Sequence, residues 1–476
     1  MRLNRSIKKR RRILMTYHVA IDIGASSGRV MLAKKEEVLR LDEIHRFKNG
    51  FAKVDGHDRW DIDQLVKNVL VGLEKVKQRG VATCTIGIDT WAVDYVLLDD
   101  KGELLGQPVA YRDARTQGAM EQVFQQIPKE NIYKKTGIQF LNFNTLYQLF
   151  VEDESLLEKT EKILMIPDYI AYKLTGRMAG EVTNWSTTQF LNLESRTYDR
   201  DLLEMLHIDT SKLPDLIEAG EIIGALQVTG YDVPEAQVIA VGTHDTASAV
   251  VGVPATSKNW AYISSGTWSL IGVESQEPIA NQASYRANYT NEWGAYQTYR
   301  FLKNITGMWC VQEIARLINY QYSFKEMAEQ AAHVEPFLQE IDLNDDRFTN
   351  PENMIEEIQE SCRETGQVVP ESIGELVMAV YSNLAKAYGR ELKQLETLTG
   401  QTIDCLHIVG GGSNVTLLNQ LTANVIGKKV IAGPGEATAI GNILVQMIAT
   451  GEFENLSQAR TWLESTSCLE SCIPQK

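Results

Sequence analysis

The pattern of apolar and polar positions predicts the same series of elements twice along the chain. In the first half, an apolar run over residues 17–23 predicts a strand, and alternation over residues 29–33 predicts the return strand of a hairpin. Apolar residues spaced by three and four over residues 61–78 predict an amphipathic helix. A short apolar run over residues 84–89 predicts a buried strand, so the first half is expected to run hairpin, helix, strand.

The second half repeats this order roughly 240 residues further along the chain. Residues 261–264 and 268–273 predict a second hairpin around a tight turn. A helix predicted over residues 375–398 then precedes a buried strand predicted over residues 405–409. Two similar α/β domains are therefore expected, and domains that face one another form a cleft of the kind in which ligands often bind.

The boundary between the two halves is predicted after a third strand and a short helix. An apolar run over residues 237–241 predicts the strand, and a helix of small residues is expected to start near Asp245. Proline and hydroxyl residues interrupt the apolar pattern over residues 252–259. We therefore predict an N-terminal domain over residues 15–252 and a C-terminal domain over residues 253–476.

Composition and charge narrow the possible classes of function. With 44% hydrophobic and 23% charged residues among 476, the chain is typical of globular proteins. Its net charge of −15 disfavours nucleic acid and anionic membranes as partners, and no run of 18 apolar residues predicts a membrane span. The six cysteines, without a secretory signal, favour reduced thiols and a cytoplasmic location.

The first fourteen residues differ in composition from the rest of the chain. Seven of them are basic, and no apolar segment of a secretory signal follows them. One interpretation is a tail that binds nucleic acid. We prefer a disordered extension over residues 1–14, with Met15 as an alternative start of translation.

Two turns at matching points of the two halves have the composition of phosphate-binding loops. Residues 22–29 combine glycine, which lets backbone N–H groups approach an anion closely, with serine hydroxyls. Asp22 ends the preceding strand and is suited to hold Mg²⁺ through water. Residues 264–267 form the equivalent turn in the second half. Either turn alone is also consistent with an ordinary Gly–Ser hairpin, but two facing turns would hold both ends of a polyphosphate.

A third glycine-rich turn lies between a predicted strand and a predicted helix. Residues 410–412 are three glycines, which permit the close approach of a flat base, and the helix is predicted over residues 416–426. Ser413 or Asn414 is predicted to cap that helix. Such turns are common in α/β proteins, but in third place after two phosphate turns this one predicts an adenosine pocket. The chain has neither a Walker A motif nor a dinucleotide motif after a strand.

The sequence THDT, residues 243–246, separates an apolar strand from a helix of small residues. An aspartate at a helix N-terminus tends to stay ionised, because the helix dipole favours its negative form. Such a carboxylate can accept a proton from a substrate hydroxyl late in phosphoryl transfer, where positioning matters more than base strength. Asp245 is therefore the candidate base, and the alternative is an aspartate that only caps the helix.

A cluster of acids and an indole follows the strand predicted over residues 84–89. Asp89, Trp91 and Asp94 are predicted to leave one strand end together, where carboxylates and an aromatic face could hold a sugar. Ordinary acids at a strand edge would give the same pattern. The charged segment 111–116 could equally be a surface network of salt bridges.

Segments along nearly the whole chain resemble the FGGY family of carbohydrate kinases, within the actin and hexokinase superfamily. They run from about residue 18 to residue 445 and include AIDIGASSGRVML, TIGIDTWAVDYVLLD, GIQFLNFNTLYQL, THDTASAV, YISSGTWSLIGVES and LHIVGGGSNVTLLNQL. The resemblance is closest to the members that phosphorylate L-rhamnulose, because GIQFLNFNTLYQL and THDTASAV are specific to that group. It implies an α/β fold of two duplicated ribonuclease-H-like (actin-like ATPase) domains that flank a catalytic cleft.

The resemblance also implies roles for individual residues. Those that would bind ATP are Ala25, Ser26, Ser27, Gly28, Arg29, Thr267, Gln312 and Gly411. Those that would bind the sugar are Ala92, His244, Asp245, Thr246 and Asn304. Asp245 would be the catalytic proton acceptor, and Mg²⁺ would lie near Asp22. The family often has glycine where this chain has Ala92, so only a backbone contact is expected there.

The function implied by the resemblance is the phosphorylation of L-rhamnulose by Mg·ATP to L-rhamnulose 1-phosphate, a step of L-rhamnose catabolism. We expect a monomer or small homo-oligomer that binds neither nucleic acid nor membrane. One alternative is a kinase for another ketose, such as L-fuculose or a xylulose. Another is an actin-like ATPase, which would not need a base beside a sugar-facing histidine, so His244 and Asp245 argue against it. A third is a sugar sensor that has lost catalysis, which the intact Asp22 and Asp245 disfavour.

Overall fold

The computed structural model describes residues 17–349 and 351–475, so the extension predicted over residues 1–14 lies outside the described residues. The strands, in chain order, are β1 His18–Ile23, β2 Ser27–Lys35, β3 Leu39–Lys48, β4 Phe51–Val54, β5 His57–Trp60, β6 Thr83–Thr90, β7 Tyr95–Leu98, β8 Lys162–Met165, β9 Gly180–Glu181, β10 Leu191–Asn192, β11 Thr197–Tyr198, β12 Leu216–Ile217, β13 Ile222–Ala225, β14 Glu235–Ile239, β15 Trp260–Ser265, β16 Trp268–Ser275, β17 Thr290–Trp293, β18 Tyr299–Thr306, β19 Cys405–Val409, β20 Lys429–Ala432 and β21 Glu470–Cys472.

The α-helices lie between these strands and pack on the sheets. In chain order they are α1 Ile62–Gln78, α2 Ala119–Gln126, α3 Lys129–Thr136, α4 Thr145–Phe150, α5 Glu154–Lys159, α6 Ile166–Thr175, α7 Val182–Trp185, α8 Arg200–Met205, α9 Asp245–Val251, α10 Gln282–Arg286, α11 Trp309–Leu317, α12 Phe324–Ala331, α13 Met354–Glu364, α14 Ile373–Thr399, α15 Thr416–Ile426, α16 Ala437–Thr450 and α17 Leu456–Thr466.

The first sheet has the strand order β13-β14-β6-β1-β2-β3. β1, β2 and β3 pair antiparallel, whereas β6 runs parallel to β1 and β14 runs parallel to β6. Every residue of β1 is buried, which explains why residues 17–23 are mostly apolar. The carboxyl ends of β1, β6 and β14 consequently lie at one edge of the sheet.

The second sheet repeats this arrangement in the order β17-β18-β16-β15-β19-β20-β21. β15, β16 and β18 pair antiparallel, β19 runs parallel to β15, and β20 runs parallel to β19. Three antiparallel strands followed by two parallel ones are therefore common to both halves. The predicted fold of two duplicated α/β domains is confirmed.

Most of the predicted elements agree with the structure, and one predicted strand needs correction. The helices predicted over residues 61–78, 375–398 and 416–426 are α1, α14 and α15. The strand predicted over residues 237–241 is β14, Glu235–Ile239, which ends two residues earlier. β7, Tyr95–Leu98, pairs with β8 outside the two large sheets.

The two halves meet where helices α9 and α16 cross, and glycines permit the close approach. A Cβ at Gly441 would lie 1.8 Å from the carbonyl oxygen of Ser248, and one at Gly252 would lie 2.2 Å from that of Ala437. Any larger residue at either position would force the helices apart. α16 also packs on β1 and β6, so a helix of the second half covers the first sheet.

The cysteines of the described residues are free thiols, and Cys468 and Cys472 are not joined in a disulfide. Cys468 is exposed, whereas Cys472 is buried on β21. Across residues 17–349 and 351–475, no helix combines the length and apolar character needed to cross a membrane.

Candidate active site

Three aspartates lie together at the carboxyl ends of the parallel strands of the first sheet. Asp22 on β1 and Asp89 on β6 are direct partners in the parallel register. The backbone N–H of Thr90 donates to the carbonyl of Thr243 at 2.9 Å, which brings the segment before Asp245 beside β6. The parallel strands thus assemble residues from three distant parts of the chain at one edge of the sheet.

Burial and mutual repulsion make Asp22 and Asp89 unusual carboxyl groups. Burial raises the pKa of Asp22, although the Arg29 guanidinium, 2.6 Å away, acts in the opposite direction. Burial and the nearby charge of Asp22 raise the pKa of Asp89 well above its ordinary range. Asp89 accepts a hydrogen bond from Asn442 Nδ2 at 2.6 Å, while its Oδ1 has no partner among the described residues. The edge therefore has unused capacity for a cation or a donor.

Arg29 crosses from the first hairpin to the second half of the chain. Its guanidinium pairs with Asp22 on one side and with Glu436, the residue before α16, on the other. The predicted ATP-binding residues Ala25, Ser26 and Ser27 form the adjoining turn. Arg29 thus stands where the two halves face each other, beside the turn predicted to bind phosphate.

The turn between β1 and β2 is held in shape by an asparagine that the sequence analysis missed. The Gly24 N–H donates to the Ser27 carbonyl at 2.9 Å, closing the turn. Asn49 donates from its backbone to the Ser26 carbonyl at 3.0 Å and from Nδ2 to the Gly24 carbonyl at 2.8 Å. Gly28, the remaining predicted ATP contact of this turn, is buried where β2 begins.

Asp245 is the first residue of α9 rather than its cap. The N-cap position belongs to His244, which makes no side-chain capping bond within the described structure. Oδ1 of Asp245 accepts from Thr246 N at 2.6 Å and Thr246 Oγ1 at 3.2 Å, and it lies 3.4 Å from His244 Nε2. The side chain is 34% exposed, so solvent and a substrate can reach the carboxylate.

A buried glutamate holds the loop that carries Asp245. Oε2 of Glu181 accepts from Thr243 N at 3.0 Å and Thr243 Oγ1 at 2.7 Å, and also from the N–H and hydroxyl of Thr183. The Thr183 hydroxyl in turn lies 3.3 Å from the N–H of His244. Burial raises the pKa of Glu181 to about 7. No local pattern links Glu181 to the loop of Asp245, because Thr243 lies 62 residues further along the chain.

The second half contributes hydroxyl and amide groups at the tip of its hairpin. Thr267, in the turn between β15 and β16, donates from Oγ1 to Gln312 Oε1 on α11 at 3.1 Å. A Cβ at Gly307 would lie 2.5 Å from the backbone of Trp268, so α11 begins directly against this turn. The structure thereby brings together Thr267 and Gln312, both predicted to bind ATP.

The glycine turn after β19 packs against the same hairpin. A Cβ at Gly410 would lie 2.8 Å from the Ser265 carbonyl oxygen, and one at Gly412 would lie 2.0 Å from Ser265 Oγ. Around Gly411, which is exposed, the described residues leave open space for a Cβ. The predicted adenosine contact at Gly411 therefore faces outward beside the hairpin tip.

The prediction that Ser413 or Asn414 caps α15 is wrong. The N-cap position belongs to Val415, and no side-chain bond of the described residues caps this helix. Oγ of Ser413 donates instead to the Gly410 carbonyl at 2.7 Å, because residues 411–414 form a turn of 3₁₀-helix before α15 starts. The hydroxyl therefore stabilises the glycine turn rather than the helix end.

Asn304, on β18, faces a residue of the first half. Its N–H and its Nδ2 lie 3.3 and 3.4 Å from Gln139 Oε1, and Gln139 is anchored where Asn144 Nδ2 donates to its carbonyl at 2.9 Å. Gln139 was not singled out as a site residue, although it lies in the segment GIQFLNFNTLYQL that carried the family resemblance. Ala92, also predicted to contact the sugar, is half-buried beside Val93, whose φ is +66°.

The prediction that Asp89 and Asp94 jointly face a sugar is wrong for Asp94. Its Oδ2 accepts from Trp60 Nε1 at 2.6 Å and Trp91 Nε1 at 2.9 Å, while Oδ1 accepts from Gln148 at 3.1 Å. Burial raises the pKa of Asp94 to about 6. Both carboxylate oxygens are used to orient neighbouring side chains, so Asp94 has a structural role.

Models of known families match both halves of the chain. The model for the N-terminal domain of the FGGY family of carbohydrate kinases matches residues 17–252, and that for its C-terminal domain matches residues 261–450. The chain is 53% identical over 465 residues to the rhamnulokinase of Lactiplantibacillus plantarum, covering 97% of this chain and 95% of that protein. It is also 53% identical over 462 residues to the rhamnulokinase of Bacillus subtilis, covering 96% and 95%. The resemblance found in the sequence is confirmed.

Solved structures of kinases share the fold. The ligand-bound xylulose kinase from Lactobacillus acidophilus superposes with a TM-score of 0.77 at 16% identity, covering 96% of this chain and 94% of that chain. Plasmodium falciparum glycerol kinase with ADP gives a TM-score of 0.76 at 15% identity, also covering 96% and 94%. At these identities the likeness is one of fold.

Proposed function

The chain belongs to the FGGY family of carbohydrate kinases, and we propose that it transfers the γ-phosphoryl group of ATP to L-rhamnulose. The product would be L-rhamnulose 1-phosphate, formed in L-rhamnose catabolism. The observation that carries this proposal is the 53% identity, over nearly the full length, to proteins named rhamnulokinase. The aspartate cluster at the carboxyl ends of β1, β6 and β14 adds the chemistry that phosphoryl transfer needs.

The two facing turns would hold the nucleotide. Residues 25–29 would cradle the phosphates from the first half, and Thr267 would do so from the second. Gln312, hydrogen-bonded to Thr267 at 3.1 Å, would act from α11. Gly411 would face the adenine, because a flat base can lie against exposed backbone. Two observations support this assignment: the glycine turn packs against Ser265 of the second hairpin, and Arg29 at the first hairpin pairs with Glu436 of the second half.

The residues present fit a magnesium ion bound with ATP. Mg²⁺ is commonly held by one or two carboxylates together with substrate phosphates and water, so it does not need a complete protein cage. Asp22 would hold the ion, and the unpartnered Oδ1 of Asp89 lies next to it in register. The ion would supply charge neutralisation for the phosphates.

Asp245 would accept the proton of the attacking sugar hydroxyl. As the new bond forms between the hydroxyl oxygen and the γ-phosphorus, the bond from phosphorus to the leaving ADP oxygen breaks, and the hydroxyl proton passes to the carboxylate. Its accessible position at the start of α9 and the bonds from Thr246 support this role. The loop is held from behind by Glu181, so the carboxylate is positioned before the substrate arrives.

The sugar would bind between the two halves, next to Asp245. His244 and Thr246 flank the carboxylate, Asn304 reaches the site from β18, and Ala92 would contribute its backbone. We also propose that the division at residues 15–252 and 253–476 separates a part that binds sugar and phosphate from one that binds nucleotide. A cytoplasmic monomer or small homo-oligomer accords with this function.

A panel of sugars tests the proposal directly. The purified chain is given Mg·ATP with L-rhamnulose, L-fuculose, D-xylulose, D-fructose or glycerol, and ADP release is measured in a coupled assay. We expect the highest kcat/KM with L-rhamnulose. A tenfold preference for another acceptor would contradict the proposed substrate, and ADP release without any acceptor dependence would favour an ATPase.

A further inference from the structure

The His244 ring contacts an ion pair that belongs to the second half of the chain. Its Nδ1 lies 3.2 Å from Glu292 Oε2 on β17 and 3.1 Å from Arg300 Nη2 on β18. Glu292 and Arg300 are themselves paired at 2.9 Å. The other ring nitrogen, Nε2, points to the opposite side and lies 3.4 Å from Asp245 Oδ1.

The sheet geometry explains why these side chains meet. Glu292 and Arg300 are direct partners in the antiparallel register of β17 and β18, so both project from the same face of the sheet. Asn304 lies four residues along β18 and therefore projects from that face too. This is the face that meets Gln139 of the first half. The proposed sugar contacts Asn304 and His244 are thus connected through one strand.

The burial of this pair is costly. The Arg300 side chain is fully buried, and within the described structure its Nη1 has no partner. Burial would raise the pKa of Glu292, but the charge of Arg300 and the contact with His244 hold that pKa below its ordinary value. Buried ion pairs of this type contribute little net stability compared with apolar side chains of similar volume. The Glu292–Arg300 pair is therefore better explained by a role other than stability.

We propose that Glu292 and Arg300 are positioning residues that orient the His244 ring for binding of the acceptor sugar. The inference rests on the proposed function. Arg300 Nη2 is a donor 3.1 Å from Nδ1, and the Glu292 carboxylate is a charge 3.2 Å from it whose Oε2 forms no hydrogen bond of standard geometry among the described residues. Charged groups of both signs therefore face this edge of the ring. The pair therefore sets the direction of the ring, leaving Nε2 beside Asp245 for a sugar hydroxyl.

The arrangement also makes the sugar site depend on both halves of the chain. His244 precedes α9 of the first half, whereas its anchors lie on the second sheet. If the second sheet moved away, the ring would lose both contacts on its Nδ1 edge. The site for the acceptor would then be complete only when the two halves are closely apposed.

Substitution of Glu292 by glutamine tests the role, because glutamine keeps the size of the side chain but removes its charge. In Glu292→Gln we expect kcat/KM for the sugar to fall about tenfold or more, while KM for ATP changes less than about twofold. Glu391→Gln is the matched control. Glu391 pairs with Lys303, also on β18, at 3.2 Å, but Lys303 is three residues from Arg300 and projects from the opposite face. Glu391→Gln should leave both constants near the wild-type values.

A double-mutant cycle with His244→Ala separates orientation from general destabilisation. If Glu292 acts through the ring, adding Glu292→Gln to His244→Ala should cost less than twofold further activity, whereas a merely structural role would give the same tenfold loss again. Glu292→Asp serves in the same cycle if Glu292→Gln does not fold, as judged by thermal melting. Additive losses, or a Glu292 variant indistinguishable from Glu391→Gln, would overturn the proposal.

The experiments distinguish a failure of the positioning role from a failure of the proposed function. If the wild-type chain prefers another ketose, the assignment of L-rhamnulose is wrong, and the cycle is run with that ketose. Loss of coupling between Glu292 and His244 with the preferred sugar would then count against the positioning role alone.

Discussion

The carboxyl edges of the two sheets have the same topology but opposite chemistry. In the first sheet this edge holds Asp22, Asp89 and the loop to Asp245, so negative charge is concentrated there. In the second sheet the corresponding edge holds hydroxyl groups of the hairpin and the glycine turn 410–412. The strand pairing is shared, and the residues just beyond the strands differ.

This difference shows what each edge needs from the rest of the protein. Carboxylates that are close together and buried need donors and counter-charges, and the first edge has them in Asn442, which donates to Asp89, and in the Arg29 guanidinium beside Asp22. At the second edge the glycine turn packs directly against Ser265, and only residues without a Cβ leave enough room for this contact. We infer that the first edge does the acid–base chemistry and that the second serves as a cradle for the nucleotide.

The largest effect is expected from neutralising the base of the first edge. Asp245→Asn keeps the shape of the side chain but cannot accept the hydroxyl proton, so we expect kcat to fall by roughly 10²–10⁴ with little change in the binding of sugar or ATP. Steady-state kinetics and titration calorimetry measure the two effects separately.

Asp232→Asn, in an exposed loop, is the matched control and should behave like the wild type. If folded Asp245→Asn kept a near-normal kcat, the base would have to be sought elsewhere on the same edge. Asp89 would then be the candidate, because both oxygens of Asp94 are already hydrogen-bonded.

A pH-dependent effect is expected from Glu181, which has no counterpart at the second edge. Its pKa is raised from 4.5 to about 7 in the folded protein, so the folded state holds this proton more tightly than the unfolded state. The stability present below pH 4.5 is therefore lost as pH rises towards 7, by up to about 3 kcal/mol. Glu181→Gln should remove this contribution to the pH dependence of the free energy of unfolding.

Chemical denaturation between pH 4.5 and pH 8 measures the effect as the difference between wild type and Glu181→Gln. Subtracting the two curves cancels the contribution of the other titrating groups. A difference that stays constant across this range would contradict the raised pKa. Because glutamine retains an oxygen that can accept from Thr243, we expect kcat to fall less than in Asp245→Asn.

A smaller effect is expected at Asp22. Asp22→Asn should raise the Mg²⁺ concentration for half-maximal activity by about tenfold, because it removes a charge from the position proposed for the ion. Glu436→Gln removes the other partner of Arg29 and serves as the control, since it should not alter the Mg²⁺ requirement. Equal requirements in Asp22→Asn and the wild type would place the ion elsewhere.

The smallest effect is expected from adding a methyl group at the second edge. Gly411→Ala meets open space in the described structure, so the melting temperature should be unchanged. If the adenine lies against this backbone, KM for ATP should rise a few-fold without a change in KM for the sugar, an effect on the order of 1 kcal/mol.

Gly410→Ala provides the contrast at the same turn. Its φ is +81°, and an added Cβ would lie 2.8 Å from the Ser265 carbonyl oxygen, so we expect a loss of stability of about 1–3 kcal/mol. If Gly411→Ala also lowered the melting temperature, its effect on ATP could not be attributed to contact with the ligand.

Several predictions from the sequence depend only on neighbouring residues, and these agree best with the structure. The helix spacing over residues 61–78 and the apolar run over residues 405–409 appear as α1 and β19. Periodicity and turn composition act over a few residues, so they can be read locally. Asp94 was misinterpreted because its saturating donors, Trp60 and Gln148, are remote in the sequence.

The sequence by itself determined the duplicated order of elements, the two hairpin turns, the glycine turn and the family, because each is written in contiguous residues. Only the tertiary structure decided which groups support them. Glu181 beneath the loop to Asp245, Gln139 opposite Asn304, and Glu292 with Arg300 around His244 all act across long sequence separations. Such contacts arise from sheet register and from the packing of one half against the other, which leave no periodic or motif signal in a single sequence.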